Sequence, residues 1–205
     1  MQKIVIGKLM NYIKNNKKLD DESEEKIIYG LESIYLLITK LVVICIIALL
    51  FNFFKEFLIF LLIFNGIRTF AFGLHATKSS ICLILSTIAF LGIPYISTII
   101  NIPIIIKGII GILCIVLIFK NSPADTKKRP IVNKRRRLRL KVISTLISII
   151  YVSISFFQNN FFGNCLILSL LLEVIFISPL TYKIFKLPYN NYINYLKEEE
   201  ENAFC

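Results

Sequence analysis

Unbroken apolar length is the feature that most constrains this chain. A helix crosses the hydrocarbon core of a bilayer in about 20 mostly apolar residues, and several runs here meet or approach that length. Six segments can be read. They are about Ile34–Phe54, Phe57–Phe72, Ile81–Ile100, Ile102–Phe119, Val142–Phe162 and Cys165–Ile184. Within 205 residues, 56% are hydrophobic and 18% charged. A soluble helical core of this size would lack the polar surface to cover itself. The expected fold class is therefore all-α: a polytopic membrane helix bundle with about six transmembrane segments, organised as a single membrane-embedded domain over residues 1–205.

The segments are not equivalent. The second is the weakest, because Asn65 and Arg68 fall in its second half, and it either crosses or only re-enters the membrane. Pro94 predicts a kink in the third. Asn101 and Pro103 predict a tight turn between the third and fourth. Lys40, Lys107 and Glu173 are charges inside apolar runs, where such groups pair or line a polar cavity. For Lys40 and Lys107 the plainer reading is that they snorkel to an interface.

The N-terminus carries no recognisable signal peptide. Ile4, Val5, Leu9, Tyr12 and Ile13 share one helical face, with Lys3, Lys8 and Lys14 toward the other. That pattern suits either a helix on the inner membrane surface or a solvated helix. A second helix is predicted to begin near Ser23, with Ser23 as its cap and Glu24 and Glu25 in its first turn. Residues 1–30 form this N-terminal region, and 188–205 form a cytoplasmic tail.

Orientation follows from loop charge. Residues 121–141 hold Lys127, Lys128, Arg129, Lys134, Arg135, Arg136, Arg137, Arg139 and Lys141 against Asp125 alone. Lys and Arg beside spans stay in the cytoplasm. Counting outward from this loop puts both termini and the join between the second and third segments inside. The formal net charge of +11 does not point to nucleic acid, because the excess sits between spans. Anionic membrane lipids and an acidic peptide are the partners it suits.

The candidate chemistry is a nucleophile and its base. His75 is the one histidine of the chain, at the cytoplasmic join of segments two and three, and Cys82 follows seven residues later. An imidazole that accepts the thiol proton leaves a thiolate able to attack a peptide carbonyl. On a straight helix, residues seven apart are separated by about 10 Å along the axis. Hydrogen bonding needs roughly 3 Å, so a working pair requires a broken backbone. Gly73 offers the break, and the prediction is a helix ending near Gly73 followed by a return that brings His75 over Cys82. Cys45, Cys114 and Cys165 lie in apolar runs and read as packing residues. No pair of cysteines is placed for a disulfide, and one His with one nearby Cys supplies too few ligands for zinc. The bland alternative is a lone histidine that happens to lie near a cysteine.

Two local patterns decide between these readings. RTFAFGLHATKSSIC spans residues 68–82, and PADTKKRPI spans residues 123–131. With the length, the six segments and the basic loop, they resemble the accessory gene regulator B (AgrB) family over nearly the whole chain. Phe72 departs from the pattern, since many members carry a second Gly there.

The resemblance implies a membrane cysteine endopeptidase that processes a small AgrD-like quorum-sensing pro-peptide at the bacterial cell membrane. Cys82 would be the nucleophile and His75 the general base, with no cofactor and no metal. The acidic C-terminal segment of the precursor would leave, and the acyl-enzyme thioester would be captured by the precursor's own Cys or Ser to give a thiolactone or lactone. A homodimer is implied by the same resemblance. Arg68 is a candidate for binding a carboxylate or the oxyanion. Lys127, Lys128, Arg129, Arg135 and Arg136 are candidates for holding the acidic segment. Asp125 either orients His75 or simply forms a turn with Pro123. The competing functions are a small permease or exporter, with Glu173 marking the path, and a scaffold that docks a partner on the basic loop.

Overall fold

In the computed structural model the apolar runs are helical, and the residues described are 2–16, 20–74, 79–126, 130–158, 160–193 and 195–196. The chain divides into two compact units, Met1–Asn52 and Phe53–Cys205.

The first unit contains α1 (Gln2–Asn16) and α2 (Asp21–Leu50). On α1, Ile6 and Met10 are buried, while Val5, Leu9 and Tyr12 are exposed. Lys14 pairs with Glu24 of α2 at 2.6 Å. The cap of α2 is Asp20 rather than Ser23. The Asp20 carboxylate accepts from the Ser23 backbone N–H at 3.3 Å. Asp is as good an N-cap as Ser, and its place three residues before Ser23 lets it reach that donor. The second predicted helix, near Ser23, and the first apolar segment are one continuous helix, of which Gly30–Leu50 is long and apolar enough to cross a membrane.

The second unit is built around one helix. It comprises α3 (Phe54–Ala71), α4 (Ser79–Thr87), a π-helical turn (Ile88–Gly92), α5 (Ile93–Ile99), α6 (Ile104–Asn121), α7 (Lys134–Phe157), α8 (Phe161–Ile177) and α9 (Pro179–Ile184). α8 is mostly apolar, with no polar outer face, and is largely buried, as befits a helix at the centre of a bundle. α3, α5, α6 and α7 pack around it. Close approach relies on small residues, as in membrane bundles generally. Ser144, Ser148 and Ser155 line the buried side of α7. A Cβ on Gly111 of α6 would come within 2.8 Å of Val152. Phe60, Phe64 and Phe176 meet Phe90 or one another at ring-centroid distances of 5.6–6.0 Å.

The outward faces identify the solvent. Ile105, Ile109, Ile112 and Val116 on α6, like Leu146 and Ile150 on α7, are more than half exposed. Water would not tolerate such contiguous apolar surface, whereas lipid does. α6 and α7 are each long and apolar enough to cross a membrane. The chain is an all-α membrane helix bundle.

Boundaries moved where local chemistry outweighs hydropathy. The predicted kink at Pro94 is realised as the π-turn, which spans Phe90, four residues earlier. Proline supplies no N–H to that carbonyl and its ring crowds it. The fifth segment begins at Lys134, eight residues before its apolar run, so residues 134–141 of the basic loop are helix. The sixth is split at Ser178, whose hydroxyl accepts from the Leu180 N–H at 3.3 Å, with Pro179 opening α9.

Lys107 is satisfied within the protein. It is fully buried, and its ammonium donates to the Gln158 carbonyl at 2.9 Å and the Ser155 carbonyl at 3.4 Å. The cation therefore sits at the C-terminal end of α7, where helix carbonyls lack partners.

Candidate functional site

The two sequence patterns meet through backbone. α3 stops because Phe72 (φ 61°) and Gly73 (φ 114°) leave the right-handed region. Phe72 then forms a parallel bridge with Ala124. The Ala124 N–H donates to the Ala71 carbonyl at 3.0 Å, and the Gly73 N–H donates to the Ala124 carbonyl at 2.9 Å. The Leu74 N–H donates to the Phe176 carbonyl of α8 at 3.0 Å. Residues 71–74 are thus stitched to the join after α6 on one side and to α8 on the other.

Arg68 locks the same turn from inside. Its guanidinium donates to the Phe72 carbonyl and, at 2.6 Å, to the Leu74 carbonyl. It pairs with Glu173 of α8 at 3.3 Å and lies 4.9 Å from the centroid of the Phe176 ring. Glu173 is fully buried and the Arg68 side chain is 14% exposed. Gly73 is the residue this arrangement requires. A Cβ there would stand 2.4 Å from Arg68 Nη1 and 3.0 Å from the Phe176 carbonyl oxygen. The carboxylate that Arg68 binds in this structure is thus the protein's own.

Asp125 forms a second node. Its carboxylate accepts from the backbone N–H groups of Asn191 at 3.0 Å and Tyr192 at 2.9 Å. Arg137 of α7 is 3.5 Å away. The Asp125 carbonyl accepts from the buried Tyr182 hydroxyl at 2.9 Å. Asp125 therefore caps a helical turn beginning at Asn191, 66 residues along the chain, and docks the C-terminal segment. Burial pushes the Tyr189 hydroxyl up from its ordinary pKa, and the nearby Arg137 charge opposes that shift.

Neither side chain of the expected dyad is among those described. Cys82 falls in the first turn of α4. His75 follows directly on the fixed residue Leu74 but lies outside the described residues, as do Lys127, Lys128 and Arg129. The backbone between α3 and α4 is broken at Phe72–Gly73, where the sequence placed the break. Arg135 and Arg136 are exposed in the first turn of α7, and the Arg136 N–H is capped by the Asn133 side chain at 3.1 Å. Cys114 and Cys165 are buried free thiols in the core and Cys45 is a half-buried one. Among the described residues no group of three or more His, Cys, Asp or Glu side chains could hold a metal ion.

The basic run separates into two faces. Arg135, Arg136 and Arg139 point to the surface. Lys134, Arg137 and Lys141, at helical spacing, join Lys120 of α6 and Tyr189 and Tyr192 to line a cleft of about 590 Å³. Arg137 stacks over Tyr192 at 3.6 Å, and Lys141 lies over Phe119 at 4.5 Å. Sequence reasoning missed this division, and it missed the Asp125 contacts. Only the i, i+3, i+7 spacing of Lys134, Arg137 and Lys141 signals the first, and nothing local signals the second.

A family model described as accessory gene regulator B matches residues 6–177. An AgrB-like protein of Clostridium acetobutylicum is 32% identical over 89% of both chains. One from Listeria innocua is 34% identical over 89% of this chain and 90% of its own. One from Lactiplantibacillus plantarum is 30% identical over 87% of this chain and 92% of its own. No solved structure matches the chain.

Proposed function

The chain belongs to the accessory gene regulator B family of quorum-sensing membrane proteins, and from that premise we propose that it is a cysteine endopeptidase that matures a small signalling pro-peptide. The observation that carries this reading is the anchored turn at Phe72–Leu74. A stretch held at both its N–H and C=O groups delivers the chain directly to the single histidine, and α4 begins four residues later with Cys82 in its first turn. The first turn of a helix favours negative charge, as a thiolate requires.

The reaction proceeds in two exchanges. His75 takes the Cys82 thiol proton, and the thiolate attacks the carbonyl at the end of the signal segment. The C–N bond breaks, the imidazolium returns the proton to the leaving amine, and a thioester remains on Cys82. A Cys thiol in the retained segment attacks that thioester, closing a thiolactone and restoring the Cys82 thiol; a Ser hydroxyl gives the lactone. One thioester replaces another, so ring closure itself needs no ATP. Apolar helices around the site limit competing water. The exposed cations Arg135 and Arg136, with Lys127, Lys128 and Arg129, attract the acidic leaving segment.

In this reading the chain crosses the cell membrane six times, with both termini and the dyad facing the cytoplasm. Gly30–Leu50, α6 and α7 have the length and composition to cross, and Leu83–Ile99 and Phe161–Ile177 are shorter apolar helices; with α3 they make up the six. Reconstituted vesicles supplied with a synthetic precursor test the chemistry. Cys82→Ala and His75→Ala should each abolish cleavage, and alanine at Cys45, Cys114 or Cys165 should leave it intact. Trapped wild-type protein should gain the mass of the signal segment as a hydroxylamine-labile adduct. Cleavage that survives Cys82→Ala would sink the proposal.

A further inference from the structure

We infer that the cleft between α6, α7 and the C-terminal segment is a binding site for the phosphate headgroup of an anionic phospholipid. The inference rests on the reading of α6 and α7 as membrane-crossing helices, not on the peptidase chemistry.

Charge is the first argument. Lys120, Lys134, Arg137 and Lys141 converge on the cleft. Asp125 pairs with Arg137, while among the described residues no carboxylate pairs with the three lysines. Among the described residues the cleft therefore carries more positive than negative charge. Its volume, about 590 Å³, lies in the range of small-molecule sites.

Height in the membrane is the second. Lys120 is in the last turn of the apolar helix α6, and Lys141 is the last charge before the apolar run of α7. Both mark the edge of the hydrocarbon layer, where lipid phosphates lie and where basic pockets between helices capture acidic headgroups. Tyr189 and Tyr192 complete the wall, and tyrosine favours the same level.

The third is what lies beneath. Val116 and Leu113, four and seven residues before Lys120 on the same face of α6, are exposed, as are Val142 and Leu146 on α7. A free phosphate would use only the cations. An acidic peptide would leave this apolar surface untouched. A phospholipid uses both, with its phosphate among the lysines and its acyl chains along the helices.

Native mass spectrometry of the full chain, delipidated in a non-ionic detergent, tests this with phosphatidylglycerol as the probe. Wild-type protein should retain phosphatidylglycerol in preference to phosphatidylcholine, and millimolar inorganic phosphate should not displace it. The combined variant Lys120→Gln, Lys134→Gln, Lys141→Gln should weaken retention on the order of 10- to 100-fold. Arg135→Gln, Arg136→Gln, Arg139→Gln removes the same charge from the outer face and should retain the lipid. Equal loss in both variants, equal retention of phosphatidylcholine, or displacement by an equimolar acidic peptide or by phosphate would each overturn the assignment. Circular dichroism of both variants checks that the helices are intact, and the readout is independent of precursor cleavage.

Discussion

Gly73→Ala should act mainly through Arg68, and the size of that coupling can be worked out. The added methyl meets Arg68 Nη1 at 2.4 Å, with the Phe176 oxygen at 3.0 Å and Ile177 Cγ2 at 3.2 Å. The backbone at φ 114° costs a non-glycine residue about 1–2 kcal/mol whatever surrounds it. The guanidinium must also swing away. That breaks its bonds to the Phe72 and Leu74 carbonyls and loosens its pairing with Glu173. Hydrogen bonds to charged groups contribute about 1.5–3 kcal/mol, so the single substitution should cost about 3–4 kcal/mol. In an Arg68→Gln background those bonds are already lost. There Gly73→Ala should cost only about 1–2 kcal/mol, leaving a coupling of about 2 kcal/mol. Unfolding of the four proteins in detergent micelles, monitored by circular dichroism against denaturant, measures the cycle. Precursor cleavage should fall in both single variants, because both release the turn that leads into His75. Additivity within about 0.5 kcal/mol would refute the account, for it would mean that Gly73 is needed for its backbone alone.

Two further substitutions probe the other joins. A Cβ on Gly163 would stand 1.8 Å from the Gln158 carbonyl oxygen and 3.0 Å from Lys107 Nζ. Gly163→Ala should therefore cost more than about 3 kcal/mol in the same unfolding assay, whereas Gly7→Ala, which meets nothing within 4 Å, should be neutral or mildly stabilising. Asp125→Ala removes the acceptor for the Asn191 and Tyr192 N–H groups and leaves Arg137 without its carboxylate. It should expose the segment after Pro188 to limited proteolysis at least ten-fold faster, while Asp125→Asn, which keeps an acceptor oxygen, should fall between it and wild type.

By itself, the sequence determined the solvent and the helix class, and it supplied the residues that the proposed chemistry uses. These depend on run length and residue type, which are local properties. A bilayer demands apolar length, a glycine permits the break at the end of α3, and only one histidine exists to serve as a base. Even the placement of Gly73 was legible, because a seven-residue separation cannot work on a straight helix. Tertiary structure decided how the pieces are held. Arg68 finds Glu173 across 105 residues, Lys107 finds Gln158 across 51, and Asp125 finds Asn191 across 66. Charge buried in an apolar bundle must be matched, yet many partners would satisfy that demand, and packing around α8 selects among them. The same holds for the basic run. Its net charge was plain from composition, but only the folding of Lys134–Lys141 into α7 turned three cations toward Lys120 and left the others facing outward.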